Sequence, residues 1–158
     1  MSVIENIIDI PAEHEKNVFG QFDMNIKKIE RTLHVNIISR DGELKIIWAH
    51  VATRRAKNVL NQLIELAKRG NEISEQNVDY ALSLSFDDNE GALIDLDDSI
   101  ICRTVMGKPI KPKTLGQKGY VDLIKNKMIV FGIGPAGTGK TYLAMAMAIT
   151  ALKNNEVN

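Results

Sequence analysis

The most constraining feature of this 158-residue chain is a glycine-rich loop that lies between two apolar stretches near its C-terminus. Residues 134–141 fit the pattern G-x-x-x-x-G-K-[ST], known as Walker A or the phosphate-binding loop. The preceding residues 127–131 are short, apolar and partly β-branched, which predicts a buried strand. The following residues 142–149 are mostly good helix formers without a breaker. The order therefore predicts a strand, a phosphate-binding loop and a helix.

Each loop position suits the binding of a nucleoside triphosphate. The glycines let the backbone wrap closely, so that its N–H groups form a concave anion site at the positive end of the helix dipole. The predicted binding residues are Gly134, Pro135, Ala136, Gly137, Thr138, Gly139, Lys140 and Thr141. Lys140 and Thr141 are the candidate catalytic residues, since Lys140 can reach the β- and γ-phosphates and Thr141 can ligate Mg²⁺. The alternative, a glycine-rich turn that binds nothing, is disfavoured because strand, loop, Lys-Thr pair and helix agree.

Composition limits the class of protein. Lys+Arg and Asp+Glu both number 20, so global charge predicts neither nucleic-acid nor membrane binding, and any such case must rest on a local patch. Cys102 is the only cysteine, which excludes an internal disulfide and suits a reducing compartment. The N-terminus lacks a signal-peptide pattern, and the apolar run at 142–152 is shorter than the ~20 residues that span a bilayer. We therefore expect a cytoplasmic protein without a membrane partner.

The chain is predicted to be of the α/β class, with a small α+β domain at 1–85. Three apolar, largely β-branched runs predict strands in it, at 3–10, 35–39 and 44–48. Helical signals follow Pro11, Asp23, Ala49 and Ser74, with Asp23 and Ser74 as N-caps, and Asp41-Gly42 predicts a hairpin turn. Residues 86–113 are predicted to be a charged linker, acidic first and basic afterwards, and 114–158 the incomplete beginning of a P-loop domain. The basic part is either a solvated linker, which we favour, or a phosphate contact.

Two segments resemble the PhoH-like ATPases. They are Pro112-Lys-Thr-Leu-Gly-Gln-Lys-Gly-Tyr120 and Gly132-Ile-Gly-Pro-Ala-Gly-Thr-Gly-Lys-Thr-Tyr-Leu-Ala144. Phe19-Gly20 and residues 35–42 are also similar to that family, so the resemblance covers nearly the whole chain. It implies a cytoplasmic bacterial protein that binds ATP and Mg²⁺ and hydrolyses ATP in a helicase-like P-loop domain. Family members are associated with RNA metabolism, and oligomerisation of the full-length protein is left open.

The resemblance also gives Gln117 a role. In related helicase-like folds a glutamine ahead of the P-loop reads adenine, and a carboxamide can donate to N7 and accept from the N6 amino group. The alternative is an exposed linker residue, which the residues alone would favour. Tyr120 either stacks on the base or packs against the protein, and we expect packing.

The first domain resembles a KH-type domain, which grips single-stranded nucleic acid with a G-x-x-G loop between two helices. The corresponding segment here is Gly20-Gln-Phe-Asp23, in which Asp23 replaces the second glycine and would repel phosphate. We therefore expect the KH-like fold, whereas Asp23 weakens the case for RNA as a binding partner. Lys27, Lys28 and Arg31 on the next helix form either a basic face or, as we slightly favour, an ordinary solvated surface.

The sequence predicts a piece of a longer ATPase. A P-loop hydrolase also needs a Walker B acid and a group that orients water, and neither has a place after the loop here. We therefore expect this chain to be too short for activity, with 114–158 weakly ordered in isolation. The rival interpretation is a KH-like RNA-binding module with a vestigial ATPase part. A P-loop kinase is a third, disfavoured by Gln117 and the KH-like domain.

Overall fold

The chain forms a mixed α/β structure that divides into two compact units, Met1–Ile94 and Asp95–Asn158. The computed structural model describes residues 4–48, 50–86 and 91–157. Val3 of the first predicted strand and residues 87–90 of the predicted linker lie outside the described residues. The stretch predicted as a linker contains a short helix and a strand pair, given below.

In its described residues the first unit contains a three-stranded antiparallel sheet and four complete α-helices. Its elements in chain order are β1 Ile4–Asp9, α1 Ala12–Phe19, α2 Met24–Leu33, β2 Asn36–Arg40, β3 Glu43–Trp48, α3 His50–Lys68 and α4 Glu75–Phe86. A fifth helix, α5 Ala92–Asp98, begins in this unit. The strand order is β1-β3-β2, so β3 is the central strand. Asp41 and Gly42 both have positive φ, 53° and 83°, as a type I′ hairpin turn between β2 and β3 requires. The predicted hairpin is thus confirmed.

One side of this sheet and the facing sides of the helices form the core of the first unit. Leu44 and Ile46 on β3 are fully buried, and Ile8 on β1 pairs with Leu44. One apolar stripe of α3 supplies Ala56, Val59, Leu60, Leu63 and Ala67, all buried, whereas Ala52 is only partly buried. Alternate residues of the strands are buried, as are residues of α3 at helical spacing, and these two sets of side chains pack against each other. The two hydrophobic patterns in the sequence therefore specify one layer of helices on one sheet.

Local signals determine where the helices of the first unit end and begin. The N–H groups of Gly70 and Asn71 donate to the carbonyl oxygens of Ala67 and Leu66, and Gly70 has φ 80°, which is a Schellman end to α3. Ser74 then caps α4, since its Oγ accepts from the Asn77 N–H at 3.4 Å and Asn77 Oδ1 accepts from the Ser74 N–H at 3.0 Å. Asp23 does precede α2, but its side chain makes no capping hydrogen bond among the described residues.

Across its described residues the second unit contains two packed helices and one short strand pair. Its elements are β4 Cys102–Arg103, β5 Pro109–Ile110, α6 Leu115–Asn126 and α7 Lys140–Lys153. Val121 on α6 and Leu143 and Met147 on α7 form a small buried cluster with Ile101, Tyr120 and Ile124 against it. The Thr150 hydroxyl on α7 lies 2.8 Å from the Ala146 carbonyl oxygen of its own helix and 3.3 Å from that of Ile101. These contacts hold the helix that follows the glycine-rich loop.

The predicted buried strand at 127–131 is wrong. Among the described residues this segment pairs with no strand, and Met128, Ile129 and Phe131 are 100%, 72% and 84% exposed. The physical reason is that a parallel strand becomes buried only when neighbouring strands and helices cover it. The described part of the second unit offers only the pair β4–β5, which is antiparallel and lies elsewhere.

Candidate nucleotide-binding site

The glycine-rich loop ends where α7 begins, at Lys140. Gly137 and Gly139 have φ of 78° and 81°, a left-handed conformation that favours glycine, and this explains two of the loop's glycines. Among the described residues the N–H groups of Lys140, Thr141 and Tyr142 donate to no protein acceptor. The first N–H groups of a helix have no intrahelical partner, and here they are available at the positive end of a 14-residue helix.

The side chain of Lys140 lies against its own loop. Its Nζ donates to the carbonyl oxygens of Gly134 at 3.0 Å and Pro135 at 2.5 Å, and to Oγ1 of Thr138 at 2.9 Å. The Thr138 hydroxyl in turn donates to the Pro135 carbonyl at 3.1 Å. One ammonium therefore closes the loop around three neutral acceptors. A phosphate oxygen would be a stronger, charge-assisted partner for the same group.

Thr141 is on the first turn of α7, next to the lysine. Its side chain is exposed, and among the described residues it has no hydrogen-bond partner. A hydroxyl in this state can accept or donate freely, so it fits the oxygen-ligand chemistry of Mg²⁺. Within the described residues no group of three or more His, Cys, Asp or Glu side chains could hold a metal ion.

Gln117 lies on the first turn of α6 and touches the loop. Its Nε2 donates to the carbonyl oxygen of Thr138 at 3.1 Å, and its Oε1 accepts from the N–H of Lys113 at 2.6 Å. The structure thus brings Gln117 together with the P-loop residues across 21 positions of sequence. These two hydrogen bonds engage both the oxygen and the NH₂ group of the carboxamide, which are the groups that adenine recognition would also use.

Tyr120 lies one turn further along α6, and its side chain packs against the protein. It lies against the cluster of Val121, Leu143 and Met147. Its ring also covers Gly132, where an added Cβ would lie 3.2 Å from Cε2. Gly132 is therefore a position of close approach between the loop's entry and α6. The expectation that Tyr120 packs is confirmed.

Helix α6 itself is absent from the sequence-based expectations, although a signal for it exists. Thr114 and Gln117 have the S/T-x-x-E/Q spacing of a capping box, and Thr114 Oγ1 accepts from the Gln117 N–H at 3.2 Å. The family resemblance points to an adenine role for Gln117 and not to its place at the start of a helix. The capping spacing would have predicted the helix, whereas the Gln117 side chain accepts from the Lys113 N–H and not from the Thr114 N–H that a capping box uses.

The glycine-aspartate loop of the first unit lies between α1 and α2. Gly20 has φ 73°, and Phe22 and Asp23 also take left-handed conformations, with φ of 53° and 59°. Phe22 is 86% exposed. Both Asp23 and the neighbouring Met24 are exposed as well, so the acid is at the surface where a bound phosphate would meet it.

The basic residues after this loop do not form a shared cationic face. Lys27 Nζ donates to the Phe22 carbonyl oxygen at 2.8 Å. Lys28 pairs with Asp79 at 2.5 Å and Glu75 at 2.8 Å, and its hydrogen bonds to these two carboxylates raise its pKa. Only Arg31 of the three is exposed without one of these contacts. This arrangement favours the interpretation of an ordinary surface.

Comparison with known proteins shows what the chain is similar to. Residues 109–158 match the family described as PhoH-like protein. The chain is 38% identical over 141 residues to a PhoH-like protein of Bacillus subtilis (strain 168), and 36% identical over 157 residues to one of Mycobacterium tuberculosis (strain ATCC 25618 / H37Rv). The chain belongs to the PhoH-like family.

The match covers most of the chain but less than half of each relative. It takes in 89% of the chain with the Bacillus protein and 98% with the Mycobacterium protein, and 44% of the length of each relative. A PhoH-like protein of Synechocystis sp. is 29% identical over 137 residues, which are 87% of the chain and 42% of that relative. No solved structure matches. Among the described residues, no helix has the length and apolar content needed to cross a membrane.

Proposed function

We propose that the second unit binds ATP together with Mg²⁺ at residues 134–141, as part of an ATP-hydrolysing PhoH-like protein. The observation that carries this proposal is the unsatisfied start of α7 next to a lysine that closes the glycine-rich loop. Free N–H groups, a helix dipole and a cation converge there, which is the chemistry that phosphate requires. PhoH-like membership supports the same conclusion, since the family is one of P-loop ATPases.

In this proposal each residue has one task. The N–H groups of the loop and of the first turn of α7 hold the α- and β-phosphates. Lys140 exchanges the carbonyl oxygens of Gly134 and Pro135 for phosphate oxygens, because charged acceptors make stronger hydrogen bonds than neutral ones. Thr141 provides a hydroxyl ligand to Mg²⁺, and the ion's charge offsets the charge that develops on the phosphates during hydrolysis.

Gln117 can read adenine only with the capacity that its existing contacts leave. A carboxamide oxygen has two lone pairs and the NH₂ group two protons, so one of each remains after the bonds to Lys113 and Thr138. Adenine recognition by Gln117 is therefore compatible with these bonds only as a second, additional pair of contacts.

RNA binding by the first unit is the second candidate function. The loop of Gly20 to Asp23 between two helices, beside an antiparallel sheet, favours the KH-like interpretation of this unit. The exposed Asp23 and the paired Lys27 and Lys28 disfavour phosphate contacts at that loop. We therefore rank RNA binding below ATP binding. The affinity of this chain for single-stranded RNA at several salt concentrations tests it, since phosphate contacts would weaken steeply with salt.

The ATP proposal is tested by equilibrium binding of a fluorescent ATP analogue with Mg²⁺ to the 158-residue chain. Lys140→Ala should weaken binding by about 10- to 100-fold, because hydrogen bonds to charged groups contribute ~1.5–3 kcal/mol and each ~1.4 kcal/mol is tenfold. Lys153→Ala is the matched control, since it removes an exposed lysine from the last turn of the same helix. Equal affinity of wild type and Lys140→Ala would refute the proposal.

A further inference from the structure

Gln117 connects two backbone groups that are far apart in sequence. Its Oε1 accepts from the Lys113 N–H just ahead of α6, and its Nε2 donates to the Thr138 carbonyl in the glycine-rich loop. These bonds, at 2.6 Å and 3.1 Å, use opposite ends of one planar group. The start of α6 is itself held in place, because Thr114 caps it through the Gln117 N–H. The carboxamide is therefore a fixed bridge between a capped helix and the loop.

The bond to Thr138 determines which way the next N–H points. A trans peptide is planar and its C=O and N–H point in opposite directions. No described peptide of this chain is cis. Because the Thr138 C=O points towards Gln117, the Gly139 N–H points away from Gln117. Gly139 directly precedes α7, so this N–H belongs to the set that a bound phosphate would use.

The glycine at position 139 fits this contact. Gly139 has φ 81°, and an added Cβ would lie 3.4 Å from Nε2 of Gln117. A side chain there would meet both an unfavourable backbone conformation and the carboxamide. The left-handed turn of the loop at Gly139 therefore lies in contact with the Gln117 side chain.

We propose that Gln117 is a positioning residue of the phosphate-binding loop, which orients the peptide between Thr138 and Gly139 for a polyphosphate whatever base it carries. This inference rests on the proposed ATP site and deepens it, since it assigns Gln117 an effect on phosphate affinity. In this role Gln117 does not touch the ligand and acts through the Thr138–Gly139 peptide. Adenine recognition by the same residue would act on the base alone, so the two roles separate experimentally.

The test compares ATP, GTP and inorganic tripolyphosphate, each with Mg²⁺, by titration calorimetry on the 158-residue chain. Gln117→Met keeps the length of the side chain but removes both hydrogen bonds. We expect it to weaken all three ligands alike, by about two- to tenfold, the equivalent of one net hydrogen bond. Asn126→Ala is the matched control, because that carboxamide is on the same helix and, among the described residues, donates within it to the Asp122 carbonyl. It should change none of the affinities.

A second measurement distinguishes orientation from general stability. In amide NMR spectra the shift of the Gly139 N–H on adding tripolyphosphate should shrink in Gln117→Met, while the shifts of Lys140 and Thr141 persist. A loss confined to ATP overturns the inference in favour of base reading and leaves the proposed function standing. Unchanged affinities in Gln117→Met also overturn it. If the wild-type chain binds none of the three ligands, the proposed function and the inference both fail.

Discussion

The two units use similar apolar side chains with opposite results. In the first unit Leu44, Ile46 and Leu60 have no exposed surface, and the core extends over one sheet and its helices. In the second unit the buried cluster around Val121 is small. There Phe131 and Ile133 are 84% and 94% exposed. Hydrophobicity alone therefore does not bury a residue; two layers that face each other do.

This difference bears directly on the candidate site. The glycine-rich loop follows the exposed segment and is supported by α6 and α7, not by a sheet. The Gln117 side chain, whose helix Thr114 caps, donates to the Thr138 carbonyl oxygen of the loop, and Tyr120 packs against Gly132 at the loop's entry. The expectation that 114–158 is weakly ordered in isolation stays a prediction.

The largest expected effect compares the buried core of the first unit with the exposed segment of the second. Leu60→Ala should lower the free energy of unfolding of the first unit by about 2–5 kcal/mol, since it removes a fully buried side chain and leaves a cavity. Met128→Ala in the second unit should change stability by less than ~0.5 kcal/mol, because Met128 is 100% exposed. Urea denaturation followed by circular dichroism measures both. Equal losses for the two variants would contradict the contrast.

A somewhat smaller effect is expected at the glycine that begins the loop between α1 and α2. A Cβ at Gly20 would lie 2.8 Å from Nδ2 of Asn25, which is buried and donates to the Val18 carbonyl at 3.1 Å. Gly20→Ala should therefore cost about 2–4 kcal/mol, from left-handed strain and a disturbed buried hydrogen bond.

Gly70→Ala is the control for this prediction. Gly70 has a similar φ of 80°, but a Cβ there would meet nothing within 4 Å. Its cost should be only the conformational ~1–2 kcal/mol. Thermal unfolding of the two variants measures the difference, and identical melting temperatures would show that the Asn25 contact contributes nothing.

The smallest effect concerns pH and the link between α2 and α4. The hydrogen bond to Asp79, followed by that to Glu75, raises the pKa of Lys28 above its ordinary 10.5. A raised folded-state pKa stabilises the fold at pH below the unfolded value, and this stabilisation is lost as pH rises through the folded value. The stability difference between wild type and Lys28→Met should therefore shrink above about pH 10.5.

Urea titrations from about pH 8 to about pH 11.5 measure this dependence, since that range brackets the titration of a lysine. Asp79→Asn removes the largest cause of the shift. In that background the stability change caused by Lys28→Met should therefore vary less with pH. A change that stays constant across the range in both backgrounds would rule out the ion pairs as its source.

Most of the first unit could be predicted because its signals are local and repeated. The Asp41-Gly42 turn and the Ser74 cap each act within a few residues, and each was found where the sequence predicts it. The predicted strand at 127–131 failed for the opposite reason. Its burial depends on partners that no local pattern contains.

The candidate site divides in the same way. The loop residues from Gly134 to Thr141 could be identified from spacing, because the motif places its glycines, lysine and threonine at set intervals. That Gln117 contacts the Thr138 carbonyl could not, since the two are 21 positions apart and their contact depends on how α6 packs beside α7.

The sequence by itself determined the phosphate-binding motif, the family and the order of elements in the first unit. Only the tertiary structure decided that Lys28 pairs with α4, that Tyr120 covers Gly132 and that Gln117 contacts the loop. The physical reason is one of range. Backbone conformation, capping and periodicity act over a few residues, whereas the partner of a side chain depends on which distant surfaces pack together.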